Sequence, residues 1–233
     1  MAFHHSPRII TKGLVYCFDA ADKTSVAIGQ SGDHTINDLT GNDPSSITGA
    51  QLNSGSSHHW MDFTADNMDM GASTGYDPAD TGNMYQTIEM WYKPNTGGMK
   101  SSCCDTVFGR YYFRFFQIGT NLYFMYGVDA DGETATYTHP SYTVTNDVWH
   151  HVVGTRIDVS GTNRFQYWID GVLKQNHDYY SSWHLRNYTG GTFYVSAAGH
   201  TNVNIAIARI YNRGLENDEV LHNFNIQRDR FGI

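Results

Sequence analysis

The sequence predicts an all-β fold: a single two-sheet antiparallel jelly-roll sandwich, closed by a short C-terminal helix. Three observations carry that expectation. The composition is rich in strand and turn formers, with 23 Gly, 16 Tyr and 12 Phe but only four Glu (Glu89, Glu133, Glu216, Glu219). A meander is written into the middle of the chain, where Trp149-His150-His151-Val152-Val153 is followed by Phe165-Gln166-Tyr167-Trp168-Ile169 and an Asp170-Gly171 turn. Helical patterning is confined to the tail, where Val220, Leu221 and Phe224 make an apolar stripe.

Residues 1–12 read as a polar arm and 13–233 as the sandwich domain. Leu14–Asp19 is the first strand, with Cys17 inside it as a reduced thiol. Residues 20–57 are dominated by Gly, Ser, Asp, Asn and Thr and read as loop with one or two short strands. Residues 60–63 and 68–70 alternate apolar with polar. In residues 86–93, Ile88, Met90 and Tyr92 share one face, and Thr87, Glu89, Trp91 and Lys93 the other. Residues 106–110 and 112–118 read as a strand pair, 121–126 as a further strand, and 134–137 as its return from a turn at Asp129-Ala130-Asp131-Gly132. Strands at 149–156 and 164–175 follow, joined by a polar turn over 158–163. Residues 176–191 read as a polar, aromatic loop, and 193–196 and 203–211 as late strands, with Asn204, Ala206, Ala208 and Ile210 on one face of the last. In the tail, Asp218 and Glu219 open the helix, Arg228 and Arg230 close it, and Gly232 stands at the cap position.

Charge and hydropathy exclude several partners. The net charge is −8, and the 15 Lys and Arg form no basic run, so neither nucleic acid nor an anionic membrane surface is expected as a partner. No apolar run approaches the length of a membrane span, and the first residues carry no secretory pattern, so synthesis in a host cytoplasm is expected. The adjacent Cys103 and Cys104 are read as free thiols, because a vicinal disulfide is strained.

Several segments, in order, resemble the laminin-G-like domains of the concanavalin A-like superfamily. Gly13-Leu14-Val15 through Asp19-Ala20 is similar to that family's opening phrase, and Asp38-Leu39-Thr40-Gly41-Asn42 to its Asp-Leu-Ser-Gly-Asn. Thr87-Ile88 through Trp91, with Lys93-Pro94, resembles a further phrase. So do Trp149–Thr155, Tyr167–Gly171 and Ile207–Arg213. Residues 63–70 match loosely, with Thr64 and Ala65 replacing Asp and Gly. One departure is clear: the family usually carries an acidic pair at the start of the last strand, and here those positions read Ile205-Ala206-Ile207-Ala208. The opening arm through Arg8 and the closing Arg230-Phe231-Gly232 are similar to virion-associated proteins of tailed phages.

The superfamily includes glycosidases, whose chemistry needs two carboxylates facing one cleft. Glu89 has no acidic neighbour on its strand face, and Glu216 and Glu219 fit a helix start, so no catalysis is expected. His150 and His151 are adjacent on a strand and must face opposite ways, one inward near Trp149 and one outward. Asp129, Asp131 and Glu133 surround Gly132 and make calcium the one ion the sequence nominates; the same residues suit a simple hairpin turn. Asp178, Tyr179, Tyr180, Trp183, His184, Arg186, Asn187 and Tyr188 combine aromatic faces with hydrogen-bonding groups, which serve a glycan or a protein contact equally well. The resemblance implies a non-enzymatic virion surface protein of a tailed phage, a capsid decoration or tail-fibre adhesion module. Its expected partners are other virion proteins, with a host-surface glycan and a second copy of the chain as further candidates. The alternative is a soluble lectin module assisted by calcium.

Overall fold

The structure is a computed structural model that describes residues 8–22, 24–26, 34–41, 44–48, 50–54, 59–64, 67–69, 87–96, 105–110, 113–130, 136–138, 140–160, 162–180, 183–185, 194–195 and 202–233. The strands in chain order are β1 (Leu14–Asp19), β2 (His34–Asn37), β3 (Pro44–Thr48), β4 (Gln51–Ser54), β5 (His59–Thr64), β6 (Asn67–Asp69), β7 (Thr87–Pro94), β8 (Asp105–Arg110) and β9 (Phe113–Ile118). They continue with β10 (Asn121–Ala130), β11 (Thr136–Thr138), β12 (Ser141–Thr143), β13 (His150–Val159), β14 (Thr162–Ile169), β15 (Val172–Tyr180), β16 (Trp183–Leu185), β17 (Tyr194–Val195) and β18 (Asn202–Tyr211). The helix α1 spans Asn217–Phe231.

Among the described residues these strands form two antiparallel sheets, as the sequence predicts. The first runs β15-β14-β13-β7-β18-β5-β4, with β1 also on β18. The second runs β11-β10-β9-β8-β17-β6-β3-β2, with β12 and β16 also on β10. Between them lies an aromatic core. Phe113, Phe115, Phe124 and Tyr126 of the second sheet meet Phe165 and Tyr167 of the first. Ile88, Met90 and Tyr92 of β7 point into this layer, as the alternation on that strand requires. Gly154 of β13 lies so close to the opposite sheet that a Cβ there would stand 2.3 Å from Phe124 Cε2.

The other face of the first sheet is covered by α1. Trp91 stacks on Phe231 at 4.1 Å between ring centroids and on Phe224 at 5.9 Å. Val220 joins Val153, Trp168, Tyr211 and Leu215 in a second apolar patch. Gly232 takes the left-handed conformation, φ 75°, and Glu219 Oε2 accepts from the Glu216 N–H at the other end. The helix stripe is corrected in one position: Leu221 is exposed and Asn223 is buried in its place. Asn223 is inward because it donates to Glu89 Oε2 at 3.0 Å, a bond no apolar stripe would disclose.

The family-like phrases have identifiable mechanical roles. Asp38 Oδ1 accepts from the Cys17 and Thr40 N–H groups, fixing the 38–41 turn against β1. Asp19 takes a two-point pair from Arg230 at 2.8 Å, holding the last turn of α1. Asp170 and Gly171 have φ 51° and 72°, the signature of a type I′ hairpin turn. Asp170 also accepts from the His151 N–H at 2.8 Å. Burial pushes the free Cys17 thiol up to about 11, so it is unreactive. Cys103 and Cys104 lie outside the described residues.

Several boundaries differ from expectation. The polar turn over 158–163 is mostly ladder, with Val159 pairing Thr162 across a two-residue connection. The expected loop over 176–191 is strand through Tyr180 and again at Trp183–Leu185. β15 is the outermost strand of its sheet, so one face meets water and polar residues fit it. The expected shared face of Asn204, Ala206, Ala208 and Ile210 is broken by a bulge between Ile205 and Ile207. Ala208 and Ile210 enter the intersheet core, whereas Ala206 packs in the cluster beneath the helix. Asp129 and Ala130 belong to β10 rather than to a turn.

Candidate functional site: a rim between the two sheets

Residues nominated from sequence for ligand contact converge where β15 leaves the first sheet and β16 joins the second. β15 carries Asp178, Tyr179 and Tyr180 opposite Arg164, Asn163 and Thr162 of β14. The next strand is β16, whose His184 pairs with Asp129 of β10 and whose Trp183 pairs with Ala130. The nominated glycan segment and the nominated calcium segment are therefore backbone neighbours, although about fifty residues separate them in sequence. Asp131, Glu133, Arg186, Asn187 and Tyr188 lie outside the described residues. Among the described residues no group of three His, Cys, Asp or Glu side chains is placed to hold a metal.

Alternation along β14 assigns the side chains their faces. Phe165 and Tyr167 point into the core, so Arg164 and Gln166 point outward. Arg164 meets Asp178 in a two-point pair at 2.8 and 2.9 Å. The hydrogen bonds from Arg164 hold the Asp178 carboxyl below the usual range. On the inner side, Tyr126 stacks on Phe165 at 4.3 Å, and its hydroxyl lies 3.1 Å from His177 Nδ1. Tyr142 donates to the Lys174 carbonyl. These bonds stitch the second sheet to β15 and fix the rim from below. Arg164 and Gln166 escaped the sequence reading; the outward half of the 162–169 alternation is the signal that marks them.

The carboxylate weighed for glycosidase chemistry has a different setting. Glu89 is fully buried beneath α1. Its Oε1 accepts from Arg209 Nη1 at 2.9 Å and lies 2.9 Å from His151 Nε2. Its Oε2 accepts from Tyr211 at 3.2 Å and Asn223 at 3.0 Å. A carboxylate only accepts, so His151 carries its proton on Nε2. Burial raises the Glu89 pKa, but the Arg209 charge and the bonds from His151 and Tyr211 outweigh it and hold the carboxyl at about 2. Glu89 is thus an anchor for the helix. His150 and His151 do face opposite ways, but both are buried, His150 beside Asp170 and His151 beside Glu89.

A laminin-G family model, described as the concanavalin A-like lectin/glucanases superfamily, matches residues 66–221, about two thirds of the chain. The chain belongs to this superfamily. No curated protein matches the sequence. Solved structures share the superfamily fold at low identity. The botulinum neurotoxin serotype D binding domain has a TM-score of 0.63 at 11% identity, covering 92% of this chain and 51% of its own. Domain 4 of AbnA, an extracellular arabinanase of Geobacillus stearothermophilus in complex with arabinotriose, has a TM-score of 0.58 at 14% identity, covering 90% and 97%. A Trypanosoma rangeli sialidase mutant has a TM-score of 0.60 at 13% identity, covering 95% and 34%. The chain therefore spans about half the toxin binding domain and about a third of the sialidase.

Proposed function

We propose that the chain is a non-enzymatic adhesion domain that holds glycan at the β15–β16 rim and works on the surface of a tailed-phage virion. The observation that carries the glycan part is the backbone pairing of His184 with Asp129 and of Trp183 with Ala130. It brings together two backbone segments that carry Trp, His and Asp, residue types whose chemistry recognises sugar rings and their hydroxyls. Two solved relatives of the fold support it: arabinanase domain 4 in complex with arabinotriose, and the botulinum neurotoxin DC binding domain in complex with SialylT. A third, a neurotoxin binding domain in complex with rat synaptotagmin II, supports protein contact as the companion activity. The virion placement rests on the arm and the closing Arg230-Phe231-Gly232 phrase.

A glycan array probed with the purified chain tests the first part. Binding is expected, and Trp183→Ala is expected to remove it; an array blank for the parent chain ends the glycan reading. Loss of binding in chelator would add calcium to the rim. Mass spectrometry of purified particles tests the placement separately. The chain is expected at fixed stoichiometry, and particles without it leave a free lectin module.

A further inference from the structure

On the outer face of the first sheet, beside the Trp91 cluster, three strands present an amine, an amide and a carboxylate in one row. Lys93 of β7 stands directly across from Asn204 of β18, and Asn204 directly across from Asp62 of β5. Residues paired in this way share a face and have Cβ atoms about 5 Å apart. Lys93 is half-buried, and its Nζ lies 5.3 Å from the Trp60 ring centroid and 5.6 Å from that of Trp149. Trp60 belongs to β5, so its contact with Lys93 spans β18, the strand that carries Asn204. Asn204 is 5% exposed. Its Nδ2 donates to Asn95 Oδ1 at 3.0 Å, and Asn95 Nδ2 donates in turn to Asn202 Oδ1 at 2.8 Å. Its Oδ1 meets no donor among the described residues, an uncommon state for a buried amide.

We propose that Lys93 and Asn204 join in an intramolecular amide bond, with Asp62 as the proton carrier. The Lys93 amine, in its neutral form, attacks Asn204 Cγ. The Nζ–Cγ bond forms and the Cγ–Nδ2 bond breaks. The attacking nitrogen sheds one proton to the Asp62 carboxylate, which passes it to the departing nitrogen. Ammonia leaves and the carboxylate is restored, so the exchange consumes no oxidant, reductant or cofactor. The sheet supplies the proximity, because ladder partners on one face stay together as long as β7 and β18 remain paired. The product ties β7 to β18 covalently and closes a loop of roughly 110 residues. The bond is independent of the glycan reading and lies on a different part of the molecule from the β15–β16 rim.

Intact-mass spectrometry of the purified chain tests it. The chain is expected to weigh one ammonia, about 17 Da, less than its sequence. A protease digest is expected to hold one branched peptide that joins positions 93 and 204. Lys93→Arg keeps a cation over the two indoles and removes the nucleophile. It is expected to restore the full mass and to lower the melting temperature by about 10 °C. Asp62→Asn is expected to show the full mass in freshly purified protein. The mass of the parent chain needs no variant, so a variant that fails to fold cannot shelter the proposal. Full mass in the parent, a deficit that survives in Lys93→Arg, or a branch from Lys93 to any residue but Asn204 would overturn the bond. An undiminished deficit in Asp62→Asn would overturn the proton carrier.

Discussion

Replacing Glu89 by Gln removes one charge from a place water does not reach. Arg209, 1% exposed, would keep its charge while losing the carboxylate 2.9 Å away. One of the two oxygens would become an NH2, so its donors on that side, either His151 and Arg209 or Tyr211 and Asn223, would meet a donor instead of an acceptor. Removing one member of a buried ion pair costs about 3–5 kcal/mol. Total stability is typically about 5–15 kcal/mol, so this is a substantial fraction of it. At about 3 °C per kcal/mol for a chain of this length, the melting temperature should fall by about 10 °C. Thermal unfolding followed by far-ultraviolet circular dichroism, with urea titration at fixed temperature, measures it. The double variant Glu89→Gln with Arg209→Met should regain much of the loss, because the orphaned charge is gone. A single variant melting within about 1 °C of the parent would refute the account of α1 docking given above.

Two further outcomes follow from the same geometry. The Glu89 carboxyl is held at about 2 against an ordinary 4.5, so its contribution is present in full above 4.5 and lost as pH falls from there towards 2. That contribution is about 3 kcal/mol. Urea midpoints at about pH 6 and about pH 3 should separate more in the parent than in Glu89→Gln; equal separation would show that other carboxylates carry the acid limb. Gly154→Ala would drive a methyl to 2.3 Å from Phe124 Cε2 and 2.6 Å from its Cζ. Overpacking of this kind costs about 1–3 kcal/mol, and a midpoint unchanged in urea would mean that the sheets separate there without penalty.

What the sequence disclosed and what it withheld divide along physical lines. The alternation of β7 was legible because one face is apolar throughout, Ile88, Met90 and Tyr92 all entering one core. The Asp170-Gly171 turn was legible because few residue pairs accept two positive φ angles. The Glu89 cluster was not, because its partners stand 62 to 134 positions away and no local pattern links them. The bulge at 205–207 was hidden for another reason: Ile205, Ala206 and Ile207 are all buried, so sliding between faces leaves no polar trace. The second half of β15, residues 176–180, was read as loop because an outer strand with Asn176, His177 and Asp178 has the composition of a turn. At the rim, residue types pointed to sugar or protein chemistry, but the meeting of Asp129 with His184 is a product of tertiary pairing alone.

The placement of β18 has a consequence for how the molecule comes into being. That strand is flanked by β7 on one side and by β1 and β5 on the other, and Leu14 finds its partner at Tyr211. While a ribosome is still translating the first two hundred codons, three strands wait without the neighbour that joins them. Pairings so distant along the chain nucleate slowly. β1, the β4–β5 pair and the ribbon from β7 to β15 therefore cannot be joined into one sheet until synthesis has passed residue 211, and a chaperone that shields those waiting edges would raise the yield of native molecules.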